Sequence, residues 1–577
     1  MKISEIAKIT GIKSDTIRYY EKIGLLLVKR SDNSYREYLE ADVQTLLQIR
    51  FLRRLGIGIS DIKLWQNRLL SDDDLISKRM HELENESQTN RQQLLFCRQL
   101  LSQKQLDLTK SASEAEKPPY EETAQASDPS GVCNEAVSVG IDIGTSTLKI
   151  AVLRVSDRTP CECFSVPNHC DIPQAKKYRR CQSVSKITEK IFSLLKLTEL
   201  YYKNIICIGI TGQMHGILYV DGCGKAVSEL YTWQDKSGDQ SLPNGQTVCR
   251  MIEQQTGESV ATGYGLVTHF CLLQAGEVPK EAATLCTIMD YIAMQLTGCT
   301  RPLTHNSIAA SLGFFDVLAG HFRLEALNKL GINPSVLPQH AGKAQIAGFY
   351  KNIPVLLPFG DSQASLFCAA GNDANTVLLN FGTGSQLSTV LSDSNDANLQ
   401  DGIELRPYTD GSYQLCYAAL CGGAGYALLE SFIRRLFVLA GEADESRYTL
   451  LEKMAQSADP KCCDLTVNTQ FSGTRSDPLL RGSIEHISAE NFTPENLAYG
   501  FLRGIVEELY QKYEQIFPPN ETAPRLVVTG NAIRKNPILQ TIIKDRFGIS
   551  PTLSPYSEEA AFGAALYALM FNYKDNS

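Results

Sequence analysis

No GxxxxGK[ST] segment occurs anywhere in the 577 residues, so any nucleotide this chain binds is not held by a P-loop. No apolar run is long enough to cross a bilayer. Met1-Lys2-Ile3-Ser4 leads into a helical pattern rather than a signal-peptide apolar core, so the expectation is a cytoplasmic protein with no membrane segment. The 17 cysteines are an odd number without paired spacing, which excludes a disulfide scaffold and fits reduced thiols. Cys161, Cys163, Cys170 and Cys181 cluster around His169, but their spacing is not that of a zinc knuckle or finger, and they read as loop thiols. Hydrophobic content of 43% and charged content of 21% are ordinary for globular domains, and the length calls for three or four of them.

Charge is unevenly spread. Residues 1–70 hold 13 Lys and Arg against 8 Asp and Glu, a net of +5 in a chain whose total is −8. A basic head on an acidic body predicts that the head alone meets a polyanion.

The body is organised around Val139 to Leu153, VGIDIGTSTLKIAVL, where apolar residues alternate on either side of Gly144-Thr145-Ser146. That pattern predicts two half-buried strands joined by a tight turn. Gly144 lets backbone approach a ligand, Thr145 and Ser146 add donors, and Lys149 adds positive charge, together an anion cradle. Asp142 supplies a carboxylate suited to a divalent cation arriving with the anion, directly or through water. The pattern recurs at Leu378 to Leu391, LLNFGTGSQLSTVL, around Gly382-Thr383-Gly384. Two such turns predict a duplicated domain whose halves face one cleft.

Three further stretches carry chemistry. TGQMHG at 211–216 follows an apolar strand and sets Gln213, Met214 and His215 at its carboxyl end, where α/β folds bind ligands; TWQD at 232–235 adds the Trp233 indole, suited to a sugar face, and Asp235, able to accept from hydroxyls. LLPFGDSQASLFCAAG at 356–371 reads as strand, turn and helix, with Asp361 at the turn before a helix beginning near Ser362. An aspartate there caps a helix well, and it is also where a kinase for alcohols needs the carboxylate that takes the proton from the attacking hydroxyl. In the second half, CGGAGYALLES at 421–431 and VVTGNAIRKNP at 527–537 place Gly422, Gly423, Gly530 and Asn531 at Gly-rich turns before helices.

These motifs, in this order over residues 136–577, resemble the FGGY carbohydrate kinases. The resemblance implies a two-lobed actin/hexokinase-type, ribonuclease H-like α/β fold, with a first lobe over 136–372 and a second over 373–577. It implies ATP with Mg²⁺, and phosphorylation of a sugar with Asp361 as general base. Gln213, Met214, His215, Trp233, Asp235 and Asp361 would meet the sugar. Gly144, Thr145, Ser146, Lys149, Gly382, Thr383, Gly384, Gly422, Gly423, Gly530 and Asn531 would meet the nucleotide. GQMHG is similar to the family's ketose kinases, and Trp-Gln-Asp to those acting on seven-carbon ketoses, which implies phosphorylation at position 1. Thr529-Gly530-Asn531 departs from the family's usual Gly-Gly-Gly.

The head, residues 1–70, reads as short helices and a turn-rich segment: helix, Gly11 turn, then a helix presenting Thr16, Arg18, Tyr19 and Lys22. Arg30, Tyr35, Arg36 and Tyr38 follow in an extended stretch that suits a wing on phosphates. TIRYYEKIGLL, NSYREY and IRFLRRLGIGISDI resemble the MerR family of winged helix-turn-helix regulators, which implies a double-stranded, pseudo-palindromic DNA operator. From Ile76, steps of three and four through Met80, Leu83, polar Ser87 and Asn90, Leu94, Cys97 and Leu101, and finally Leu108, predict a dimerisation helix over 71–110 and a homodimer through 76–108. The lone Cys97 argues against a thiolate metal sensor. A polar, acidic linker spans 111–135. Two functions stay open: an active ketose kinase fused to a DNA-binding head, or a catalytically silent regulator whose kinase-like body senses sugar. The full set of Asp361, Asp142 and both loops favours activity.

Overall fold

A computed structural model describes residues 1–30, 36–85, 133–382, 384–393, 402–409, 411–460, 464–474, 477, 479–517 and 524–574. The head packs α1 (Ile3–Thr10) and α2 (Ser14–Lys22) across a turn at Gly11, which takes a left-handed φ of 66°. A short antiparallel ladder, β1 (Lys29–Arg30) with β2 (Arg36–Glu37), precedes α3 (Glu40–Arg54), α4 (Ile59–Gln66) and α5 (Asp72–Asn85). Ile6, Ile17, Leu46, Ile49 and Ile62 are fully buried and hold these helices together. Tyr38 was expected on the DNA face, but it is buried in this core, and its carbonyl takes a hydrogen bond from the Met1 amine at 2.7 Å.

The expected dimer seam is also corrected at its start. Ile76 and Leu83 of α5 are buried in this chain's own core and Met80 packs against it, so they serve the monomer. Apolar steps of three and four fit a helix covering its own domain as well as a coiled coil. The seam beyond Leu83 lies outside the described residues, as does most of the expected linker. That linker ends earlier than its pattern implied, because β3 begins at Cys133.

Two six-stranded sheets follow. In the first lobe, β3 (Cys133–Ile143), β4 (Thr147–Arg154) and β5 (Pro160–Pro167) form an antiparallel meander, and Tyr202–Gly212 then Ile353–Leu356 continue from β3 in parallel. The second lobe repeats this: Thr376–Phe381, Ser385–Leu391 and Tyr413–Ala419 form the meander, with Arg525–Thr529 and Thr552–Leu553 parallel beyond it. The duplication expected from the two Gly-rich turns is therefore a duplication of topology. The second meander gains an outer antiparallel strand, Ile403–Pro407.

The final helix, Glu559–Lys574, leaves its own half and packs on β3, on Tyr202–Gly212 and on the helix Asp361–Ala370. Small residues permit this. A Cβ at Gly140 or Gly209 would run into the carbonyls of Ala561 or Ala564, and Ala561, Ala564, Ala565 and Ala568 are fully buried. The tight packing expected of 558–568 is present, and it ties the chain's end to the first lobe.

Among the described residues the first meander has no outer partner strand in its sheet, and α4 of the head lies against β5. Buried apolar residues run continuously from the head into the first lobe, through Trp65, Phe164 and Tyr201. At this contact Lys78 of α5 reaches Asp61 at 2.6 Å and the Ser165 carbonyl at 3.5 Å, and His169 stands 3.6 Å from Asp74. An edge strand left bare invites foreign pairing, and here the head covers it.

Candidate functional site

The first Gly-rich turn joins β3 to β4, and its carbonyls are held from below. Asn168, just past β5, donates its backbone N–H to the Ser146 carbonyl at 2.8 Å and its Nδ2 to the Gly144 carbonyl at 2.9 Å. Gln182 Nε2 donates to the Thr145 carbonyl at 2.9 Å, and Gln213 Nε2 donates to Gln182 Oε1 at 2.9 Å. Asn168, Gln182 and Gln213 are all buried, so the turn rests on a hydrogen-bonded polar layer that fixes its shape. Trp233 Nε1 donates to Thr145 Oγ1 at 2.9 Å, which lays the half-exposed indole beside the turn.

The second turn is braced differently. The Gly382 N–H donates to the Gly384 carbonyl at 3.0 Å, and the Gly423 N–H donates to the Gly382 carbonyl at 3.0 Å. A Cβ at Gly422 would strike Ser385 and Gly384, so these helix-start glycines let the helix Gly422–Leu439 abut the turn. Gly530, with φ 98°, meets the Phe381 carbonyl and closes on the same turn. Gly422, Gly423 and Gly530, expected to meet the nucleotide, thus stand against the second turn. Thr383 and the Asn531 side chain lie outside what is described.

A cavity of about 250 Å³ lies between the lobes, lined by Asp142, Gly144, Lys149 and Asp361 from the first and Asn380 and Gln386 from the second. Asp361 is the first residue of its helix, with Gly360 in the capping position, one residue earlier than expected. The helix N-terminus favours its negative charge, and the Ser362 N–H donates to its Oδ1 at 2.6 Å. Burial first and then the charge of Asp142 raise the Asp361 carboxyl, and with Ser362 and Arg406 opposing the rise it stands at about 6. Burial likewise raises Asp142, against the pull of Lys149. Lys149 lies 2.6 Å from Glu558 and 3.8 Å from Asp142, so its charge is shared before any ligand arrives. Carboxylates thus outnumber the one ammonium among them. That surplus, beside two Gly-rich turns, fits a divalent cation carrying phosphates.

A neighbouring cavity of about 280 Å³ is lined by Met214, His215, Tyr264 and Ser311 opposite Glu404 and Arg406. His215 holds a left-handed φ of 71°, rare for a residue with a Cβ, and its ring stacks on Tyr264 at 5.0 Å. Its Nδ1 lies 2.7 Å from the Ser311 carbonyl, which requires Nδ1–H and makes Nε2 the acceptor. Asp235 does not join this group. It is fully buried, accepts N–H bonds from Ser237 at 2.9 Å and Arg180 at 3.3 Å, and faces Arg179 Nε at 3.4 Å. Its carboxylate shapes the loop beneath Trp233.

The match to known families agrees with this geometry. Residues 137–368 match the FGGY family of carbohydrate kinases, N-terminal domain, and residues 378–571 its C-terminal domain. The chain belongs to the FGGY carbohydrate kinases. Its FGGY body is preceded by a match to the MerR HTH family of regulatory proteins over residues 1–69. A sedoheptulokinase of Mus musculus is 29% identical over 479 residues, covering 76% of this chain and 98% of that protein. The HTH-type transcriptional regulator HmrR of Sinorhizobium medicae is 42% identical over 80 residues, 13% of this chain and 54% of that one. Among solved structures, a ligand-bound xylulose kinase from Lactobacillus acidophilus superposes with a TM-score of 0.62 at 19% identity, over 75% of this chain and 90% of that one.

In this FGGY protein the MerR-type head presents Arg18 and Lys22 of α2 to solvent, with Thr16 and Tyr19 half-buried beside them. Arg18 also pairs with Asp15 at 2.9 Å. Arg30 and Arg36 are backbone partners in the antiparallel β1–β2 register, where the wing was expected; Tyr35 lies outside the described residues. Among the described residues no helix is long and apolar enough to cross a membrane.

The sequence reading missed the residues that brace the turns and those the second lobe sends toward the acceptor. Asn168 and Gln182 belong to no motif. Asn380 and Gln386 were visible as polar residues in otherwise apolar strands flanking Gly382.

Proposed function

We propose that this protein phosphorylates a ketose at position 1, with ATP and Mg²⁺, and that its head binds a pseudo-palindromic DNA site as a homodimer. The observation that carries the kinase reading is Asp361: a carboxylate at a helix N-terminus, in one cavity with Asp142 and groups from both duplicated lobes. ATP with Mg²⁺ would supply the phosphoryl group and the charge that the surplus of carboxylates calls for. The turn at Gly144 to Ser146, Lys149 and Gly382 to Gly384 would hold the phosphates, with Asp142 toward the cation. Met214 and His215 would seat the sugar, Gln213 would act through the first turn, and the Trp233 indole would cover an apolar sugar face. Asp361 would take the proton from the attacking hydroxyl as the phosphoryl group is transferred.

A seven-carbon ketose is favoured over a five-carbon one by Trp233-Gln234-Asp235 and by the higher identity to a sedoheptulokinase, 29% against 24% for a xylulose kinase. The test is ADP release with sedoheptulose and xylulose, for the wild type and Asp361→Asn. Loss of a general base lowers the rate ~10²–10⁴-fold. If no ketose raises ADP release above that of the variant, the body is a sugar sensor and not a kinase.

A further inference from the structure

The second lobe places one cation where the acceptor cavity meets the catalytic one. Arg406, on strand Ile403–Pro407, is largely buried, its side chain 19% exposed. Its Nε and Nη2 both donate to Glu404 Oε2, at 3.0 and 2.6 Å, and its Nη1 donates to Ser362 Oγ at 3.3 Å. Ser362 follows Asp361, and its own N–H is on the Asp361 carboxylate at 2.6 Å. Gln386 and Gln414 also donate to Ser362 Oγ, each at 2.9 Å, so Ser362 is fixed and so is the guanidinium resting on it. Those bonds use three of the five guanidinium N–H groups, leaving two on a guanidinium that lines the acceptor cavity and rests on Ser362, which lines the catalytic one.

What those donors meet follows from the acceptor's own chemistry. With the reacting hydroxyl on C1 at Asp361, the next oxygen along the chain is on C2. In an open-chain ketose that oxygen is a carbonyl, an acceptor with no hydrogen, and a guanidinium is a donor with no lone pair. Glu404, beside Arg406 and facing the same cavity, is the matching acceptor for the hydroxyl on C3. We propose that Arg406 is an acceptor-binding residue that reads the C2 carbonyl oxygen of an open-chain ketose, delivered from the second lobe and oriented by Glu404. This rests on the ketose kinase reading and extends it, because the residues expected to hold the sugar all lie in the first lobe. It also makes the sugar a bridge: His215 and Met214 hold it from one lobe and Arg406 from the other, so the acceptor itself favours the closed arrangement.

The test removes each partner separately. kcat/KM is measured for the wild type, Arg406→Met and Arg406→Lys on the best ketose and on its analogue with CH₂ in place of the C2 carbonyl. The wild type is expected to lose roughly 10–150-fold on the analogue, the size of a lost hydrogen bond to a charged group. Arg406→Met is expected to lose a similar factor on the ketose and to lose little more on the analogue. Arg406→Lys, which keeps a charge and a donor and guards against a folding defect in Arg406→Met, should fall between the two on the ketose and match the wild type on the analogue. Equal losses on both acceptors would show a structural role and overturn the proposal, as would no loss on the ketose. A wild type that phosphorylates no ketose overturns the kinase reading and this proposal with it; a wild type that works while Arg406 makes no distinction overturns this proposal alone.

Discussion

Lys63 of the MerR-type head and Glu162 of the first kinase lobe form an ion pair at 3.4 Å, with side chains only 9% and 11% exposed. Lys63 Nζ also lies 3.9 Å from the centre of the Tyr201 ring, and Tyr202 OH donates to Glu162 at 3.1 Å. The pair crosses from α4 to β5, so the head is seated on the kinase body and not merely strung to it.

Breaking a buried pair by removing one partner costs about 3–5 kcal/mol, because the other charge is left without compensation. Glu162→Gln and Lys63→Met should each loosen the head, and the double variant should be less destabilised than the sum of the two. Protease sensitivity between α4 and α5, with a double-mutant cycle on thermal unfolding, checks this; strict additivity would mean that the two side chains do not interact.

The seat has a consequence for regulation. Just past the end of β5, Asn168 holds the Gly144 and Ser146 carbonyls, and the next residue, His169, faces Asp74 of α5. Occupancy of the first turn and the placement of the head therefore bear on the same few residues. We expect a coupling of about 1–3 kcal/mol between sugar-plus-nucleotide and DNA, equal in both directions. Calorimetric titration of ketose and a non-hydrolysable nucleotide, with and without DNA from the protein's own promoter, measures it; identical dissociation constants contradict it.

On the head, Arg18→Ala should cost about 1–3 kcal/mol in DNA affinity and relax sequence preference, because Arg18 stands exposed on α2. Tyr38→Phe should alter stability but leave sequence preference intact, because Tyr38 is in the core. Binding isotherms over a range of salt separate the two; a loss of specificity in Tyr38→Phe would place that side chain on DNA after all.

Much of this site was legible because its turns need particular residues. Gly144 and Gly382 stand in turns between paired strands and Asp361 at a helix start, places that local sequence pattern marks, and the recurrence of the turns announced the duplicated lobes. Asp235 and Tyr38 misled because polar and aromatic side chains look alike in sequence whether they face ligand or core. Burial decides that: Asp235 is turned in against Arg179, and the Tyr38 ring lies in the core of the head. Asn168 and Arg406 could not be found, since each acts on a turn or cavity built by residues distant in the chain. The docking of α4 on β5 was hidden for the same reason: an edge strand shows no sign in sequence of what covers it.

Activity should carry an acid limb set by Asp361, whose carboxyl burial lifts to about 6. A base works only when ionised, so kcat/KM should fall as pH drops through that range, by about tenfold per unit below it. Arg406 opposes the rise, so Arg406→Met should move the limb to higher pH. A kcat/KM flat from pH 5 to 8 would contradict the assignment of Asp361 as the base.

The most direct test of the account is ketose-dependent ADP formation by the full-length protein, wild type against Asp361→Asn, with sedoheptulose as acceptor and Mg²⁺ and ATP saturating. The account predicts turnover by the wild type, a sugar phosphate carrying its phosphate on C1, and a loss of ~10²–10⁴-fold in the variant, whose ketose binding is retained. Ketose binding without turnover by the wild type, or equal turnover by the variant, would contradict it.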